Sequence, residues 1–223
     1  VAVHELVVSF SVSKGISGEA NSAEIEIHNL SESTRNALGK ELDSIMLEAG
    51  YSPPGGGNNI GIIFKGSLRD VEHRRDGPDI ITKISCGDGD KALRSATTSK
   101  TFPAGTPVKD VLDQLQTDLE KYGIDRGEQK LPDDIDSKKF KRPYSCCGAS
   151  RHELNTLGRG KGFYWSIQDE TLEVIPRDGY IGNVVLISAK TGMIGVPAIT
   201  DNGVRVSALL NPEIRPNRRV RVE

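Results

Sequence analysis

The chain has 223 residues, 29 of them basic and 31 acidic, for a net charge of −2. So even a balance excludes a general nucleic-acid binder, which carries a basic excess, and no apolar run approaches the ~20 residues of a membrane helix. The three cysteines, Cys86, Cys146 and Cys147, have no framework spacing and fit a reducing compartment.

Residues 1–12 alternate, with Leu6, Val8, Phe10 and Val12 on one face. After a Gly-containing turn, Ala23, Ile25 and Ile27 alternate with Glu24, Glu26 and His28, which predicts a strand that pairs back on the first. Ser31 or Ser33 can cap a short helix carrying Ala37, Leu38 and Leu42, and Ser44–Ala49 returns as a strand. The run P-P-G-G-G-N-N after Tyr51 is a loop, with no Lys-Ser/Thr to make it a phosphate cradle. Ile60–Arg75 reads as a long strand whose phase slips near Arg69-Asp70, predicting a bulge; Ile80–Cys86 returns after the turn at Asp76–Asp79.

The pattern changes at Thr101. Thr106 as N-cap and Pro107 at the first helical position predict a helix bearing Val108, Val111, Leu112, Leu115, Leu119 and Tyr122, stopped by Gly123. Residues 124–145 read as a long polar connection. Ser150–Glu153 has the form of a capping box opening a short helix with Leu154 and Leu157 inward and a turn over 158–162. Phe163–Ile167 and Leu172–Ile175 form a hairpin. Strands resume at Asn183–Ala189, Val204–Leu210 and Arg218–Val222, with a Gly/Pro-broken link between the first two. The last strand would be an unpaired edge, so more chain or a partner chain is expected to meet it. The expected fold class is mainly β with an α/β insertion: small antiparallel β-barrel domains flanking an α+β inserted domain. Its expected divisions are a first barrel at 1–99, the insertion at 100–178, and at 179–223 the start of a second barrel or the completion of the first.

No residues stand out as catalytic, cofactor-binding or metal-binding. Cys86-Gly-Asp88-Gly-Asp90 lacks the ligand positions of a Ca²⁺ loop and reads as a strand-to-helix turn with Asp90 capping. Adjacent Cys146 and Cys147, with His152 nearby, lack the paired spacing of a zinc site. Asp133, Asp134 and Asp136 could be glycosidase carboxylates but sit in a polar run without aromatics. Phe163, Trp165 and Ile167 share a strand face and are expected to pack on the 106–122 helix rather than stack a sugar or base. Arg215, Arg218, Arg219 and Arg221 make a basic tail suited to a protein contact or to solvent.

The strings A-E-I-E-I-H-N-L-S-E-S-T-R at 23–35, L-E-A-G-Y at 47–51 and I-F-K-G at 63–66 resemble the first domain of contractile-tail phage baseplate hub proteins. In the same order, G-D-G-D-K-A-L at 87–93, T-F-P-A-G-T-P-V-K-D-V-L-D-Q-L at 101–115, F-Y-W-S-I-Q-D-E-T-L-E-V-I at 163–175 and G-V-R-V-S-A-L-L-N-P-E-I-R-P-N-R-R-V-R-V-E at 203–223 are similar to later segments of such hubs. One departure is Asn217, where the family's turn would carry Gly; Asn tolerates the left-handed backbone. The resemblance implies a structural virion protein and no enzyme: a homotrimer joining the sixfold tail tube to the threefold central spike. Tail tube protein and spike are the implied partners, with tape measure and baseplate wedge proteins as further ones. DNA would pass through the lumen without specific binding, with no cofactor and no membrane insertion, and the particle would assemble in the host cytoplasm. Candidate subunit or tube contacts are Tyr51, Pro53, Pro54, Asn58, Asn59, Arg215, Arg218, Arg219 and Arg221. A tail-associated peptidoglycan hydrolase, a carbohydrate-binding module and the equivalent hub of a phage-tail-like injection particle are the alternatives.

Overall fold

Alternation and turn chemistry lay down the first sheet. In the computed structural model, which describes residues 2–39, 43–52, 57–136, 138–201 and 203–223, β1 (Val8–Ser13) pairs antiparallel with β2 (Ser22–His28). Helix α1 (Glu32–Ala37) follows, its Thr34 amide donating to the Ser31 hydroxyl at 3.2 Å, so Ser31 is the N-cap. Of the apolar residues expected on that helix, Leu42 lies outside the described residues. Then come β3 (Ser44–Ala49), β4 (Gly61–Asp76) and β5 (Asp79–Gly87), giving a curled five-stranded antiparallel sheet in the order β1-β2-β5-β4-β3. Its inner face buries Ala23, Ile25 and Ile27 against Phe64, Ile84 and Cys86.

β4 changes partner along its length. Residues 61–67 pair with β3 and residues 67–76 with β5, and the register slips between Leu68 and Asp70, where the sequence phase slips. A strand that is double-sided only at its middle lets the sheet curl. It also leaves backbone groups of its first half for other partners.

Helix α2 (Asp90–Ser95) buries Ala92 and Leu93 not on the first sheet but in the core of the α/β unit. That unit continues with β6 (Thr97–Phe102), α3 (Val108–Glu120), β7 (Asp125–Gln129), α4 (Asp133–Asp136), β8 (Tyr144–Ala149), α5 (Ser150–Lys161), β9 (Phe163–Gln168) and β10 (Thr171–Pro176). β6 pairs with β8, and β7-β10-β9 form a three-stranded sheet. Val111, Leu112, Leu115 and Leu119 are at most 1% exposed, and Phe163, Trp165 and Ile167 pack in the same core, as the helical and strand periodicities require.

Three local expectations are corrected here. Thr106 does not cap α3: its hydroxyl donates to the Pro103 carbonyl, and the Val108 amide is taken by the Lys138 carbonyl at 3.1 Å, so the helix begins after Pro107. Ser150 does not form a capping box, because its hydroxyl is buried against Thr98 at 3.0 Å. The Glu153 carboxylate accepts from the Cys147 amide, and the helix runs on through Gly158 and Gly160 to Lys161. The 124–145 run is not only connection: β7 pairs in parallel with β10, its polar sequence fitting an edge that needs little apolar burial.

The last segment carries β11 (Val184–Ile187), a 3₁₀ turn at Ala189–Thr191, β12 (Met193–Thr200), β13 (Gly203–Ala208) and β14 (Arg219–Val222). β11 and β14 pair in parallel, while β12 and β13 form a hairpin where the sequence suggested a broken link. Mainly β with an α/β insertion is therefore the fold class, as the sequence indicated. No helix among the described residues is long and apolar enough to cross a membrane.

Candidate functional site

The polar residues that matter most gather where the β9–β10 turn enters the open end of the first sheet. Asp169 and Glu170 both have positive φ, 56° and 60°, which points their amides in one direction. Asp88 accepts both, Oδ2 from Asp169 N and Oδ1 from Glu170 N, each at 2.7 Å. Asn21 adds a third donor to Asp88 Oδ2 at 3.2 Å and also reaches the Ile167 carbonyl at 2.8 Å. Gln168 in turn donates to the Gly15 carbonyl at 2.7 Å. Asp88 is fully buried; burial pushes its carboxyl up to about 6, against the hydrogen bonds from Glu170, Asn21 and Asp169 that hold it down. Gly89, next to it, has φ 73°, and a Cβ there would lie 2.7 Å from Ile167 Cδ1, so the turn needs glycine twice over.

Asp169 closes a second cluster. Its Oδ1 accepts from Lys14 Nζ at 2.6 Å and from the Lys65 amide at 2.9 Å, while Arg215 Nη1 lies 3.7 Å from Oδ2. Arg215 also donates to the Ile62 carbonyl at 2.9 Å, and Lys65 Nζ pairs with Glu170 at 3.0 Å, which raises the Lys65 pKa. Side chains thus take up backbone groups on the first half of β4. The buried apolar clusters of the sheet and of the α/β unit are separate, and the two are linked by these charges and hydrogen bonds together with the packing of Ala20 and Gly18 against the α/β core.

Beside this junction is a cleft of about 860 Å³ lined by Asn58, Asn59, Gly61, Asn183, Val184, Asn211, Arg215 and Arg218. It brings together four of the residues singled out in the sequence: Asn58, Asn59, Arg215 and Arg218. Asn58 Oδ1 accepts from the Ile60 amide, and the Tyr51 and Asn59 residues close the base of their loop through two hydrogen bonds. Arg218 reaches Glu173 at 3.4 Å and Glu128 at 3.9 Å. Tyr51 is exposed but does not line the cleft. Pro53 and Pro54 lie outside the described residues. Arg219 sits over the Tyr180 ring at 5.3 Å and Arg221 pairs with Glu223 at 2.7 Å, so neither enters the cleft.

Sequence reasoning missed Asp88 and Asp169 as the organising pair. It read Asp90 as the cap of its own helix, whereas Asp90 receives Arg69 (Nη2 to Oδ1, 2.7 Å) and the α2 N-cap is Gly89. The available signal was an acid between two glycines at a strand end and a second acid pair at a hairpin turn; nothing in one dimension joins positions 82 residues apart. Asn217 does adopt the left-handed backbone, φ 63°, and is buried, donating to Ser166 Oγ at 3.0 Å and Glu173 Oε2 at 2.7 Å. Asn217→Ala should lose about 2–3 kcal/mol through the two bonds and the strained φ. Asn217→Gly should lose less, and the difference between their urea midpoints reads the backbone term.

Other chemistry finds little support. Burial pushes the Cys86 thiol up to about 11 and that of Cys146 to about 12, so neither is a thiolate at neutral pH. No group of three or more His, Cys, Asp or Glu side chains among the described residues could hold a metal ion. Trp165 is buried, its Nε1 donating to Asn155 Oδ1 at 3.0 Å, and Tyr164 is exposed beneath Arg177, which leaves no paired aromatic platform on this hairpin.

Three solved structures share the fold at low identity. The 43 kDa tail protein of prophage MuSo2 from Shewanella oneidensis is 13% identical, with a TM-score of 0.50 over 98% of this chain and 72% of that one. A tail protein from Neisseria meningitidis MC58 is 13% identical, with a TM-score of 0.54 over 95% and 66%. The Escherichia coli c3393 protein is a type VI secretion component described as structurally similar to the T4 tail proteins gp27 and gp5. It is 12% identical, with a TM-score of 0.52 over 99% and 67%. The chain thus spans about two thirds to three quarters of the length of these proteins. No curated protein matches it in sequence. A family model described as Baseplate hub gp41 matches residues 1–223. With the match running the whole length of the chain and the fold that of tail proteins, the chain belongs to the baseplate hub gp41 family and is a structural component of the virion tail.

Proposed function

We propose that three copies of this chain form a ring between the sixfold tail tube and the threefold central spike. The observation that carries the reading is the hub-family match over residues 1–223. A closed ring is also the arrangement in which strand edges left open in one subunit find partners in the next. In this reading residues 1–99, 100–178 and 179–223 act as first barrel, insertion and second β segment. The cleft holding Asn58, Asn59, Arg215 and Arg218 is then a contact with tube or neighbour, and the exposed Tyr51, Arg219 and Arg221 are further contact residues in the same reading. The net charge of −2 suits a lumen through which DNA slides without sticking. A reconstruction of the tail particle tests this: three copies between tube and spike are expected. Six copies in a ring, or one copy at a fibre tip, would overturn it.

A further inference from the structure

Charge is unevenly placed along this chain. Residues 138–161 hold seven basic side chains and one acidic in a protein of net charge −2. The fold draws them to the C-terminal end of α5. Lys161 Nζ lies 4.6 Å from the Phe140 ring, which brings the 138–142 segment there, and Arg177 donates to the Arg159 carbonyl at 3.3 Å. Lys138 pairs with Asp134, and the one acid of the stretch, Glu153, is taken by the Cys147 amide. Lys141, Arg142, Arg159, Lys161 and Arg177 form no ion pair among the described residues. The partners they have are neutral: the Asn155 and Arg159 carbonyls and the Phe140 and Tyr164 rings. A helix C-terminus favours a cation or two in its last turn. Five on one surface repel one another, so the dipole of α5 does not account for them.

The first sheet carries the opposite charge on its outer face. Ile25, Ile84 and Val71 turn into the core, so their neighbours along β2, β5 and β4 turn out. β5 lies between the other two strands: Ser85 is flanked by Glu24 and Asp70, and Lys83 by Glu26 and Glu72. Four carboxylates thus surround one ammonium, which pairs with Glu24 at 3.2 Å. Glu24, Asp70 and Glu72 are exposed and Glu26 is half-buried. β1 adds only Ser9 and Ser11 to these two rows, and the next row, His28, Ile81 and Arg74, ends the acidic area. The acids of β2 and β4 stand two strand spacings apart, about 10 Å, which is the width of one helix.

We propose that the basic end of α5 in one copy of this chain docks on the acidic outer face of β2, β5 and β4 in a second copy. Charge complementarity selects the occupant: five unpaired cations on one unit answer four carboxylates around a single lysine on the other. Nucleic acid is the less favoured occupant, because each ring on the basic face already has a partner. Phe140 stacks on Tyr144 at 4.5 Å with Lys161 over it, and Tyr164 lies under Arg177, so no ring is left over for a base. A contact between two different surfaces repeats head to tail from copy to copy, the arrangement from which rings are built. The proposal deepens the hub reading by naming a subunit contact, and it rests on that reading's premise of self-assembly.

Charge reversal on each face, alone and together, tests it. One variant carries Lys141→Glu and Arg159→Glu, a second Glu24→Lys and Glu72→Lys, and a third all four. Self-association of the full chain is followed by sedimentation up to about 100 µM, where even weak contacts are populated. The wild type is expected to associate at about 50 mM salt and to weaken tenfold or more at about 500 mM. Each two-site variant should weaken the association tenfold or more. The four-site variant should return to within about threefold of wild type, since its faces attract again with the signs exchanged; that recovery separates lost attraction from lost folding. Labelled four-site chains should stay out of wild-type oligomers. A wild type that remains monomeric at low salt overturns the proposal, as do two-site variants that associate normally and a four-site variant that does not recover. A monomeric wild type that binds a duplex of about 30 base pairs, with the binding lost on Lys141→Glu and Arg159→Glu, would overturn it in favour of nucleic acid. Three copies in the particle with association indifferent to either reversal would overturn this contact and leave the adaptor standing. Recovery in the four-site variant with a particle lacking three copies would sustain the contact and sink the trimeric adaptor.

Discussion

Leu115→Asp should unfold the α/β unit. Leu115 is 0% exposed at the centre of a core that also holds Leu112, Leu119, Leu154 and Trp165. An aspartate there loses the leucine packing and buries a carboxylate with no partner. The expected cost exceeds about 4 kcal/mol, a large share of the 5–15 kcal/mol that holds an ordinary domain together. A urea titration followed by tryptophan fluorescence reads the loss directly, because Trp165 is the single tryptophan and lies in the affected core. An unshifted midpoint would mean that the helix face is not packed as described.

The second large effect is expected at Asp88. Asp88→Ala leaves the Asp169 and Glu170 amides buried without acceptors, at about 1–3 kcal/mol each, so a total near 3–5 kcal/mol is expected. Asp88→Asn should cost less, about 1–3 kcal/mol, since its NH₂ can displace only one of the two acceptor oxygens. The wild type adds a pH signature. The folded carboxyl titrates at about 6 and the unfolded one near 3.8. Between those values the folded state holds a proton that the unfolded state has released. Stability from this group is therefore greatest below about pH 4 and falls as pH rises to about 6, by up to about 3 kcal/mol. Denaturation at pH 5 and pH 7, compared between wild type and Asp88→Asn, isolates the term. A pH dependence identical in both proteins would refute it.

How much of this was legible beforehand depended on whether the signal was periodic. Ala23, Ile25 and Ile27 repeat at two, and Val108 to Leu119 repeat at helical spacing, so β2 and α3 were readable, down to the bulge near Asp70. β7 and β12 were not. β7 is polar because it is a parallel edge with little to bury, and β12 is broken by Gly195 and Pro197, which read as a loop. Caps failed where tertiary bonds outcompeted local ones: Ser150 turned to Thr98 and Asp90 to Arg69. Of the candidate contact residues, Asn58, Asn59, Arg215 and Arg218 share a cleft that composition alone could only suggest. The Asp88 junction was invisible because its halves sit in two different units.

That junction also bears on how the protein is made. Synthesis at 5–20 residues per second puts roughly 4–16 s between the emergence of Asp88 and that of Glu170, 82 residues later. Through that interval the end of the first sheet waits for its partner turn. Apolar residues at this face would leave the nascent chain adhesive. Asn21, Lys14, Lys65 and Asp88 instead keep it hydrated until the turn arrives, and the charge that makes Asp88 costly once buried protects the half-made chain from aggregation.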